Sequence, residues 1–255
     1  MSEAPPAHPS ALRPAAFAFV DDLERPALAP ADAHHLGRVL RATEGDLVQA
    51  VDGGDLLSVE LTAIEPRRAE GLVVSRAPLA TESPLRLTLA QAVPKGDKMD
   101  GIVRMTTELG VSRVIPLTTD RSVVRLPPER WGARLARWAR VAREAAQQSG
   151  RAAVPEIAAP RSLGDWRIDP ATDGLVICFW EEEPRGLAGL LPAAPCPAVT
   201  VIVGPEGGLT AEEVRGLADA GALVAGLGPR VLRTETAGAV AVALLQSRYG
   251  DLGRA

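Results

Sequence analysis

The chain has 255 residues, of which 46% are hydrophobic and 24% charged, a composition that excludes an intrinsically disordered protein. This length is sufficient for one large domain or for two smaller ones. No apolar run approaches the roughly 20 residues that a membrane-spanning helix needs, and the N-terminal segment lacks the basic and apolar regions of a signal peptide. The sequence therefore predicts a cytoplasmic protein without a membrane segment.

Cysteine and histidine are scarce in this chain. The two cysteines, Cys178 and Cys196, cannot form a disulfide framework, and Cys178 lies within the apolar run "LVICFW". This position predicts a buried free thiol in a reducing compartment. The three histidines are not spaced with cysteines or carboxylates in the manner of metal ligands, so we predict no metal site.

The net charge of -4 conceals a basic block between two acidic ones. Residues 86–161 carry 14 basic and 7 acidic side chains, whereas residues 1–85 carry 7 and 13 and residues 162–255 carry 7 and 12. A central basic block is typical of a protein that contacts a polyanion. A solvated helix face explains the same charges equally well, so charge alone leaves both interpretations open.

The first part of the chain is predicted to be mostly β. After an N-terminal tail over residues 1–12, "AFAFV" predicts a short strand at 16–20 and "DAHHLGRVLRATEGD" a short helix. "LVQAV", the turn "DGGD", "LLSVELTAIE" and "AEGLVVSR" then follow with the turn chemistry of a hairpin or meander. We expect one small β domain over residues 13–78 and a linker over residues 79–84.

The remaining residues, 85–255, alternate between apolar strand patterns and amphipathic helices. Strands are predicted at "LRLTLAQAV", "SRVIPLTT", "GLVICFW", "AVTVIVG" and "ALVAGLG". Helices are predicted at "DKMDGIVRMTTELG", "PERWGARLARWARVAREAAQQSG", from Thr210 onward, and at "ETAGAVAVALLQSRYG". This alternation predicts an α/β domain with a largely parallel sheet.

The turn "GPEGG", residues 204–208, follows one of the buried strands. It has neither the lysine of a Walker loop nor the glycine spacing of a Rossmann fingerprint. A tight turn at the carboxyl end of a buried strand is nevertheless where open α/β sheets bind ligands. Glu206 would repel phosphate but suits a cation, a sugar hydroxyl or a base edge, and a structural turn with an exposed glutamate fits the pattern as well. Thr210 and Glu213 predict a capping box for the next helix.

A second irregular turn, "GLGPRVLRTE", follows the last buried strand. We expect Thr234 to cap the final helix and Glu235 to lie in its first turn, where the helix dipole favours a carboxylate. Two such turns imply a ligand that is held largely by backbone groups. The final helix is apolar on all sides from Ala237 to Leu245, which predicts burial by the core or by a second subunit.

Two groups of cations are candidates for contact with a polyanion. Lys95 and Lys98 are the only lysines among 28 basic residues, which suggests a site that needs a compact point charge, with coincidence as the alternative. The long basic helix carries a stripe that includes Trp131 and Trp138, which we interpret as packing residues. Its arginines, including Arg134, lie on the other side and can bind phosphates.

Five segments together resemble the RsmE-type 16S ribosomal RNA uridine-N3 methyltransferases of the SPOUT superfamily. They are "HHLGRVLRATEGD", "PKGDKMDGIVRMTTELGV", "RWARVAREAAQQSGRAAVPEI", "VIVGPEGGLTAEEV" and "LGPRVLRTETAGAVAVALLQ", in the order of that family, over residues 13–246. The resemblance implies a PUA-like RNA-binding β-barrel domain before a SPOUT methyltransferase domain with a C-terminal trefoil knot. It also implies S-adenosyl-L-methionine as cofactor, a homodimer, and 16S ribosomal RNA or the small ribosomal subunit as partner.

The resemblance assigns roles to individual residues. It implies cofactor-binding loops at 204–208 and 227–235 and a third knot loop that begins at Glu181. The cofactor-binding residues would be Gly204, Pro205, Glu206, Gly207, Gly208, Leu227, Gly228, Val231, Leu232, Arg233 and Thr236. The RNA-binding residues would be Arg38, Arg41, Lys95, Lys98, Arg121 and Arg134. The family usually has lysine where this chain has Met105.

The reaction implied by the resemblance is direct in-line methyl transfer from sulfur to uridine N3. We expect Glu206, Arg233 and Glu235 to be the catalytic residues, and the sequence does not fix which group takes the N3 proton. The sequence leaves two alternative functions open. One is ribose 2′-O-methylation, another activity of the same superfamily, and the other is an RNA-binding or assembly factor without catalysis. A phosphate-nucleotide enzyme is disfavoured by the missing Walker lysine and Rossmann spacing.

Overall fold

The computed structural model of the protein describes residues 18–20 and 26–254. The chain divides into two compact units: one comprises the residues up to Thr81 together with Gln147–Ala153, and the other comprises Glu82–Ala146 and Val154–Ala255. The predicted tail over residues 1–12 and the first two residues of the strand predicted at 16–20 lie outside the described residues. Within the described ranges, no helix is both long enough and apolar enough to cross a membrane.

The first unit contains a five-stranded sheet. Its strands are β1 (Ala18–Phe19), β2 (Ala27–Leu28), β3 (Leu47–Val51), β4 (Asp55–Glu65) and β5 (Arg68–Pro78). Their order is β1-β3-β4-β5-β2, and all neighbours are antiparallel except β1 and β3. The predicted hairpin is confirmed as β3 and β4. Leu57, Val59 and Leu61 are buried at alternate positions of β4, as expected for a strand with one face in a core.

The predicted short helix of this unit is interrupted. Pro30–His34 is an α-helix, α1, and His35–Val39 continues it as a π-helical turn. The amide of Leu40 donates to the carbonyl of His35, and Arg41 then takes a φ of 56°. Arg41 is the only non-glycine residue with positive φ in the part of the chain that the structure describes. The wide turn and the left-handed residue together reverse the chain before β3.

The second unit is built on a parallel sheet. Its strands are β6 (Arg86–Ala92), β7 (Arg113–Thr118), β8 (Glu156–Ile157), β9 (Arg161–Ser162), β10 (Leu175–Phe179), β11 (Ala198–Val203) and β12 (Leu223–Ala225). The order is β12-β10-β11-β6-β7-β8, with β9 also paired to β7, and every pair is parallel. The predicted α/β domain with a parallel sheet is confirmed. The two-residue strands β8 and β9 were not predicted, because a periodic pattern needs a longer segment.

Five α-helices accompany this sheet, together with short 3-10 helices at Leu163–Asp165 and Leu187–Gly189. The α-helices are α2 (Lys98–Glu108), α3 (Pro128–Ser149), α4 (Pro170–Asp173), α5 (Ala211–Asp219) and α6 (Thr234–Tyr249). Leu87 and Leu89 of β6 belong to one buried cluster, which includes residues of α2 and α6, whereas Ala90 and Ala92 belong to a second cluster, which includes residues of α5. The sheet is therefore buried on both faces. This burial explains why its strands are continuous apolar runs in the sequence.

The order of the strands determines where the two irregular turns lie. β11 precedes the turn at 204–208 and β12 precedes the turn at 226–233, but β10 lies between these strands in the sheet. The two turns therefore do not follow adjacent strands, and the loop after β10 lies between them at the carboxyl edge of the sheet. The predicted capping box of α5 is confirmed, since Thr210 Oγ1 accepts from the amide of Glu213 and Glu213 Oε2 accepts from the amide of Thr210.

Candidate functional site

A cavity of about 370 Å³ lies in the second unit at the carboxyl ends of β10, β11 and β12. Its volume is within the range of small-molecule sites, which is roughly 300–1,000 Å³. Loops from all three strands form its wall. The lining residues are Lys98, 179–181, 203–206, 208, 226–234 and Ala237.

Most of the residues predicted to bind a cofactor line this cavity. They are Gly204, Pro205, Glu206, Gly208, Leu227, Gly228, Val231, Leu232 and Arg233. Gly207 and Thr236 are not among the lining residues. The carbonyl of Gly207 accepts a hydrogen bond from Arg121 at 2.9 Å, and Thr236 is exposed in the first turn of α6. Contact of any of these residues with a ligand stays a prediction.

The first wall of the cavity is the turn at 204–208, and buried hydrogen bonds hold it. Thr234 Oγ1 donates to the carbonyl of Gly204 at 2.6 Å and accepts from Gln91 Nε2 at 2.8 Å. The amide of Gly208 donates to the carbonyl of Pro205 at 2.9 Å. The expected cap by Thr234 is therefore wrong: Arg233 occupies the N-cap position, and the Thr234 hydroxyl instead connects β6 to the turn.

Gly208 closes this turn for two physical reasons. Its φ is 70°, a left-handed conformation that L side chains rarely adopt. A Cβ at this position would also overlap the carboxylate of Glu181, which lines the cavity from the loop after β10. The sequence located a loop beginning at Glu181 but did not single out Phe179, Trp180 or Glu181 as lining residues. The sequence signal that could have identified them is the apolar strand "LVICFW" followed directly by the acidic run at 181–183.

The second wall is the loop at 226–233, whose backbone hydrogen bonds lie only at its ends, while Leu227 and Leu232 pack against the core. The amide of Gly226 donates to the carbonyl of Arg185 at 2.8 Å, and a Cβ at Gly226 would overlap the carbonyl of Glu183. From 227 to 232, no backbone N–H or C=O forms a hydrogen bond within the described residues. Val231 in this loop is 81% exposed. Backbone donors and acceptors of this loop are therefore available to a ligand.

Glu206 is paired with a lysine of the same unit. Glu206 Oε1 accepts hydrogen bonds from Lys98 Nζ and from the backbone amide of Lys95, both at 3.1 Å. Lys98 Nζ also lies 3.5 Å from Glu235 Oε2. Of the two lysines that the sequence singled out, Lys98 thus places its ammonium at the cavity, whereas Lys95 contributes its backbone amide and exposes its side chain.

These contacts raise the pKa of Lys98 and lower the pKa of Glu206, so both side chains are held in their charged forms. The hydrogen bond to Glu206 raises the pKa of Lys98, and the charges of Glu206 and Glu235 add to this effect. Partial burial of Glu206 opposes its ionisation, but hydrogen bonds from its own amide, from Lys98 and from Lys95 outweigh the burial and lower its pKa. At neutral pH the site therefore holds an ammonium and an ionised carboxylate in contact.

Comparisons with known proteins give the family of the chain. Residues 81–246 match a family model described as RNA methyltransferase domain, and residues 28–74 match one described as RNA methyltransferase PUA domain. The ribosomal RNA small subunit methyltransferase E of Bacillus subtilis is 34% identical over 214 residues, which are 81% of this chain and 83% of that protein. The chain belongs to the ribosomal RNA small subunit methyltransferase E family.

Solved structures agree with this membership of the small subunit methyltransferase E family. A member from Neisseria gonorrhoeae, bound to S-adenosyl methionine, has a TM-score of 0.82 at 30% identity and covers 92% of this chain and 98% of its own. A methyltransferase from Legionella pneumophila, in complex with the cofactor SAM, has a TM-score of 0.86 at 30% identity. In that case the similarity covers 94% of this chain and 100% of the other.

The remaining predicted RNA-binding residues of this small subunit methyltransferase E homologue lie in several elements. Arg38 is exposed within the π-helical turn of the first unit, and Arg41 is exposed just after it. Arg121 is exposed and donates to Gly207, and Arg134 is half-buried on α3. Trp131 and Trp138 are buried with ring centroids 6.4 Å apart, which confirms them as packing residues. RNA contact by the four arginines stays a prediction.

This family member has a buried free cysteine in its parallel sheet. Cys178 is buried in β10, and burial raises the pKa of its thiol to about 12, which confirms the predicted buried free thiol. Within residues 18–20 and 26–254, the structure has no group of three or more His, Cys, Asp or Glu residues placed to hold a metal ion.

Proposed function

We propose that the protein methylates N3 of a uridine in 16S ribosomal RNA with S-adenosyl-L-methionine as methyl donor. The observation that carries this proposal is the cavity at the carboxyl edge of the parallel sheet, in a member of the small subunit methyltransferase E family. One of its walls offers unpaired backbone groups and the other offers an ordered lysine–carboxylate pair. The unpaired backbone groups suit binding of a nucleoside, and the lysine–carboxylate pair suits stabilisation of charge on a base.

The residues of the cavity fit the proposed cofactor. Backbone groups at 227–232 can pair with the edge of adenine, and the carboxylate of Glu181 can accept hydrogen bonds from ribose hydroxyls. Glycines at 204, 208, 226 and 228 allow close approach of the backbone. The cofactor has no phosphate, which agrees with the absence of a Walker lysine from the turn at 204–208. When bound, it supplies an electrophilic methyl group on a sulfonium sulfur.

The side chains of the site have three tasks in this reaction. They orient the target base toward the cavity, stabilise negative charge on the uracil oxygens when N3 loses its proton, and keep competing water away. Arg233 lines the cavity as an exposed cation, and Glu206 and Glu235 hold the ammonium of Lys98. We propose that Arg233, Glu206 and Glu235 form the catalytic group of the site, with Arg233 facing the base and the two glutamates acting through Lys98.

The proposal extends to the architecture and assembly of the protein. It includes a SPOUT-type trefoil knot formed by the three cavity loops, a PUA-like barrel that contacts RNA through Arg38 and Arg41, and a cytoplasmic location. It also includes a homodimer. Leu244 of α6 is 45% exposed although the opposite face of this helix is buried, which supports a second copy as its cover.

Two variants test the assignment of the catalytic residues. Arg233→Ala is expected to lower the single-turnover rate more than tenfold, because a cation beside the developing oxyanion is lost, an effect of about 1.4 kcal/mol or more. Glu206→Gln is expected to lower it as well, since the amide no longer attracts Lys98. Both are measured on unmodified small-subunit RNA, with calorimetric affinity for S-adenosylhomocysteine as the control. Unchanged turnover in both variants would remove these residues from the mechanism.

Mapping the product tests the reaction itself. Mass spectrometry of 16S RNA treated with the purified protein is expected to locate one methyl group on a uracil ring, and RNA from a strain lacking the protein is expected to lack it. A methyl group on ribose would replace the proposal by 2′-O-methylation. The absence of both a methyl group and a heat of cofactor binding would indicate an RNA-binding factor without catalysis.

A further inference from the structure

The ammonium of Lys98 lies between two carboxylates that come from distant parts of the chain. Glu206 from the turn after β11 accepts at 3.1 Å, and Glu235 from the first turn of α6 lies at 3.5 Å. Glu235 Oε2 is buried and forms no hydrogen bond within the described residues, so Lys98 is the cation that compensates it. The two carboxylates thus fix the position of the ammonium.

An ammonium has three donors: one hydrogen-bonds to Glu206, and the ion pair with Glu235 at 3.5 Å engages the same side of the group. The described residues provide no third partner, and Lys98 lines the cavity with 39% of its side chain exposed. The third N–H is therefore available to an acceptor inside the cavity. A preorganised donor of this kind stabilises charge more than a mobile one does, because it needs no reorganisation during the reaction.

The other cations of the cavity lack this preorganisation. Arg230 and Arg233 line the cavity but are exposed, and neither guanidinium has an ion-pair or hydrogen-bond partner within the described residues. The side chain of Lys95 is exposed and is not among the lining residues. Lys98 is thus the cation of this site whose position the protein itself determines.

We infer that Lys98 is a catalytic residue that donates a hydrogen bond to a carbonyl oxygen beside N3 of the target uracil, with Glu206 and Glu235 as its positioning residues. This inference rests on the proposed function and adds Lys98 to Arg233 as a cation that faces the base. Uracil has a carbonyl on each side of N3, whereas cytosine has an amino group on one side. If the oxygen is the one on C4, where cytosine carries an amino group, a donor without acceptor capacity also favours uracil over cytosine.

The chemical step follows from this contact. The N3–H bond breaks and its proton passes to solvent, while the electron pair stays on N3 and spreads to the oxygen that faces Lys98. That pair then forms the bond from N3 to the methyl carbon. The bond from this carbon to the cofactor sulfur breaks at the same time, and its electron pair remains on sulfur. Lys98 keeps its proton throughout, in agreement with its raised pKa.

Several charged groups surround Lys98 and enter any pH dependence. Glu206 and Glu235 face the ammonium directly, and Glu181, Arg230 and Arg233 line the same cavity. On its own helix and the segment before it, Asp97 and Asp100 pair instead with Arg137 of α3. An opposite charge at about 4–6 Å shifts a pKa by about 1–3 units, so Lys98 is expected to lower the pKa of the N3–H of bound uracil.

The test is the pH dependence of the single-turnover rate at saturating RNA and cofactor, for the wild type and for Lys98→Met. Both rates are expected to rise with pH, and the midpoint of the variant is expected to lie at least about one unit higher. The variant should therefore lose about tenfold or more at neutral pH and approach the wild-type rate at high pH. RNA with 5-fluorouridine at the target, whose N3–H is more acidic, should bring this convergence to lower pH.

Two controls separate the inference from other roles of Lys98. Arg104→Met removes an exposed cation from the same helix and is expected to leave the midpoint unchanged. Affinity of Lys98→Met for S-adenosylhomocysteine, measured by calorimetry, is expected to stay within about twofold of the wild type. If Lys98→Met does not fold, as judged by circular dichroism, Lys98→Gln takes its place, because it removes the charge but can still donate to Glu206.

Two results would overturn the role inferred for Lys98, and a third would overturn the proposed function on which it rests. A loss of rate by the same factor at every pH would overturn the role, since the cation would then not act on the N3 proton. A tenfold or larger loss of S-adenosylhomocysteine affinity would assign Lys98 to the cofactor and also overturn it. If the wild type forms no N3-methyluridine, the proposed function itself is wrong.

Discussion

The two walls of the cavity differ in how the protein holds them. Hydrogen bonds from distant elements fix the turn at 204–208: Thr234 donates to Gly204, Arg121 to Gly207 and Lys98 to Glu206. The loop at 226–233 is anchored at Gly226 and at the start of α6, and its intervening backbone forms no hydrogen bonds within the described residues. In the first wall, the carbonyls of Gly204, Pro205 and Gly207 accept hydrogen bonds from the protein itself, whereas the backbone at 227–232 leaves its polar groups to a ligand.

This difference separates three kinds of mutational effect. A change in the fixed turn alters both folding stability and ligand affinity, because the same hydrogen bonds support both. A change at an exposed position of the loop, such as Val231, alters affinity with little effect on stability, whereas Leu227 and Leu232 of the same loop pack against the core. A change at the anchor of the loop moves every free backbone group at once, and its effect on affinity should be the largest.

The largest effect is expected at the anchor. A Cβ in Gly226→Ala would overlap the carbonyl of Glu183, so the loop must shift away from the wall. We expect at least 100-fold weaker binding of S-adenosylhomocysteine by calorimetry, with about 1–3 kcal/mol lost in unfolding free energy. Gly216→Ala on α5 is the control, because open space surrounds that position. Equal affinities of the wild type and Gly226→Ala would show that the loop does not bind the cofactor.

An intermediate effect is expected in the fixed turn. Thr234→Val keeps the shape of the side chain but removes the donor to the Gly204 carbonyl and one of the two acceptors of Gln91 Nε2, the other being the carbonyl of Ala92. We expect a loss of about 1–3 kcal/mol in unfolding free energy, measured by urea denaturation, together with weaker cofactor binding. Thr234→Ser retains the hydroxyl and should stay close to the wild type. If Thr234→Val weakened binding without any loss of stability, the fixed and open walls would not differ as described.

The smallest effect on stability is expected in the open part of the loop. Val231 is 81% exposed, so Val231→Ser should change the unfolding free energy by less than about 0.5 kcal/mol. We expect a several-fold loss of S-adenosylhomocysteine affinity, since an apolar contact with the ligand is lost. The same urea and calorimetry measurements apply. A large loss of stability here would mean that the loop is part of the folding core.

Much of the α/β unit was predictable because its signals are local. Strands buried on both faces are continuous apolar runs, and the capping box of Thr210 and Glu213 spans only four residues. The position of β10 between β11 and β12 was not predictable, since the order of parallel strands depends on chain crossings that the sequence does not encode locally.

The contacts within the site could not be predicted from local sequence patterns either, because they join residues that are far apart in the chain. Lys98 and Glu206 are 108 residues apart, and Gln91 and Thr234 are 143 apart. The sequence indicated Lys98, Glu206 and Glu235 as separate features, and only the fold shows that they form one cluster. Thr234 was wrongly expected to cap its own helix, because a threonine at a helix start commonly does so and its distant partners were not visible.

A crystal structure of the protein with S-adenosylhomocysteine tests the central claim most directly. We predict the compound inside the cavity, with its adenine edge hydrogen-bonded to backbone groups at 227–232 and with the contacts of the turn at 204–208 unchanged. A compound bound at another place, or bound in the cavity while the backbone at 227–232 stays without hydrogen bonds, would contradict this claim.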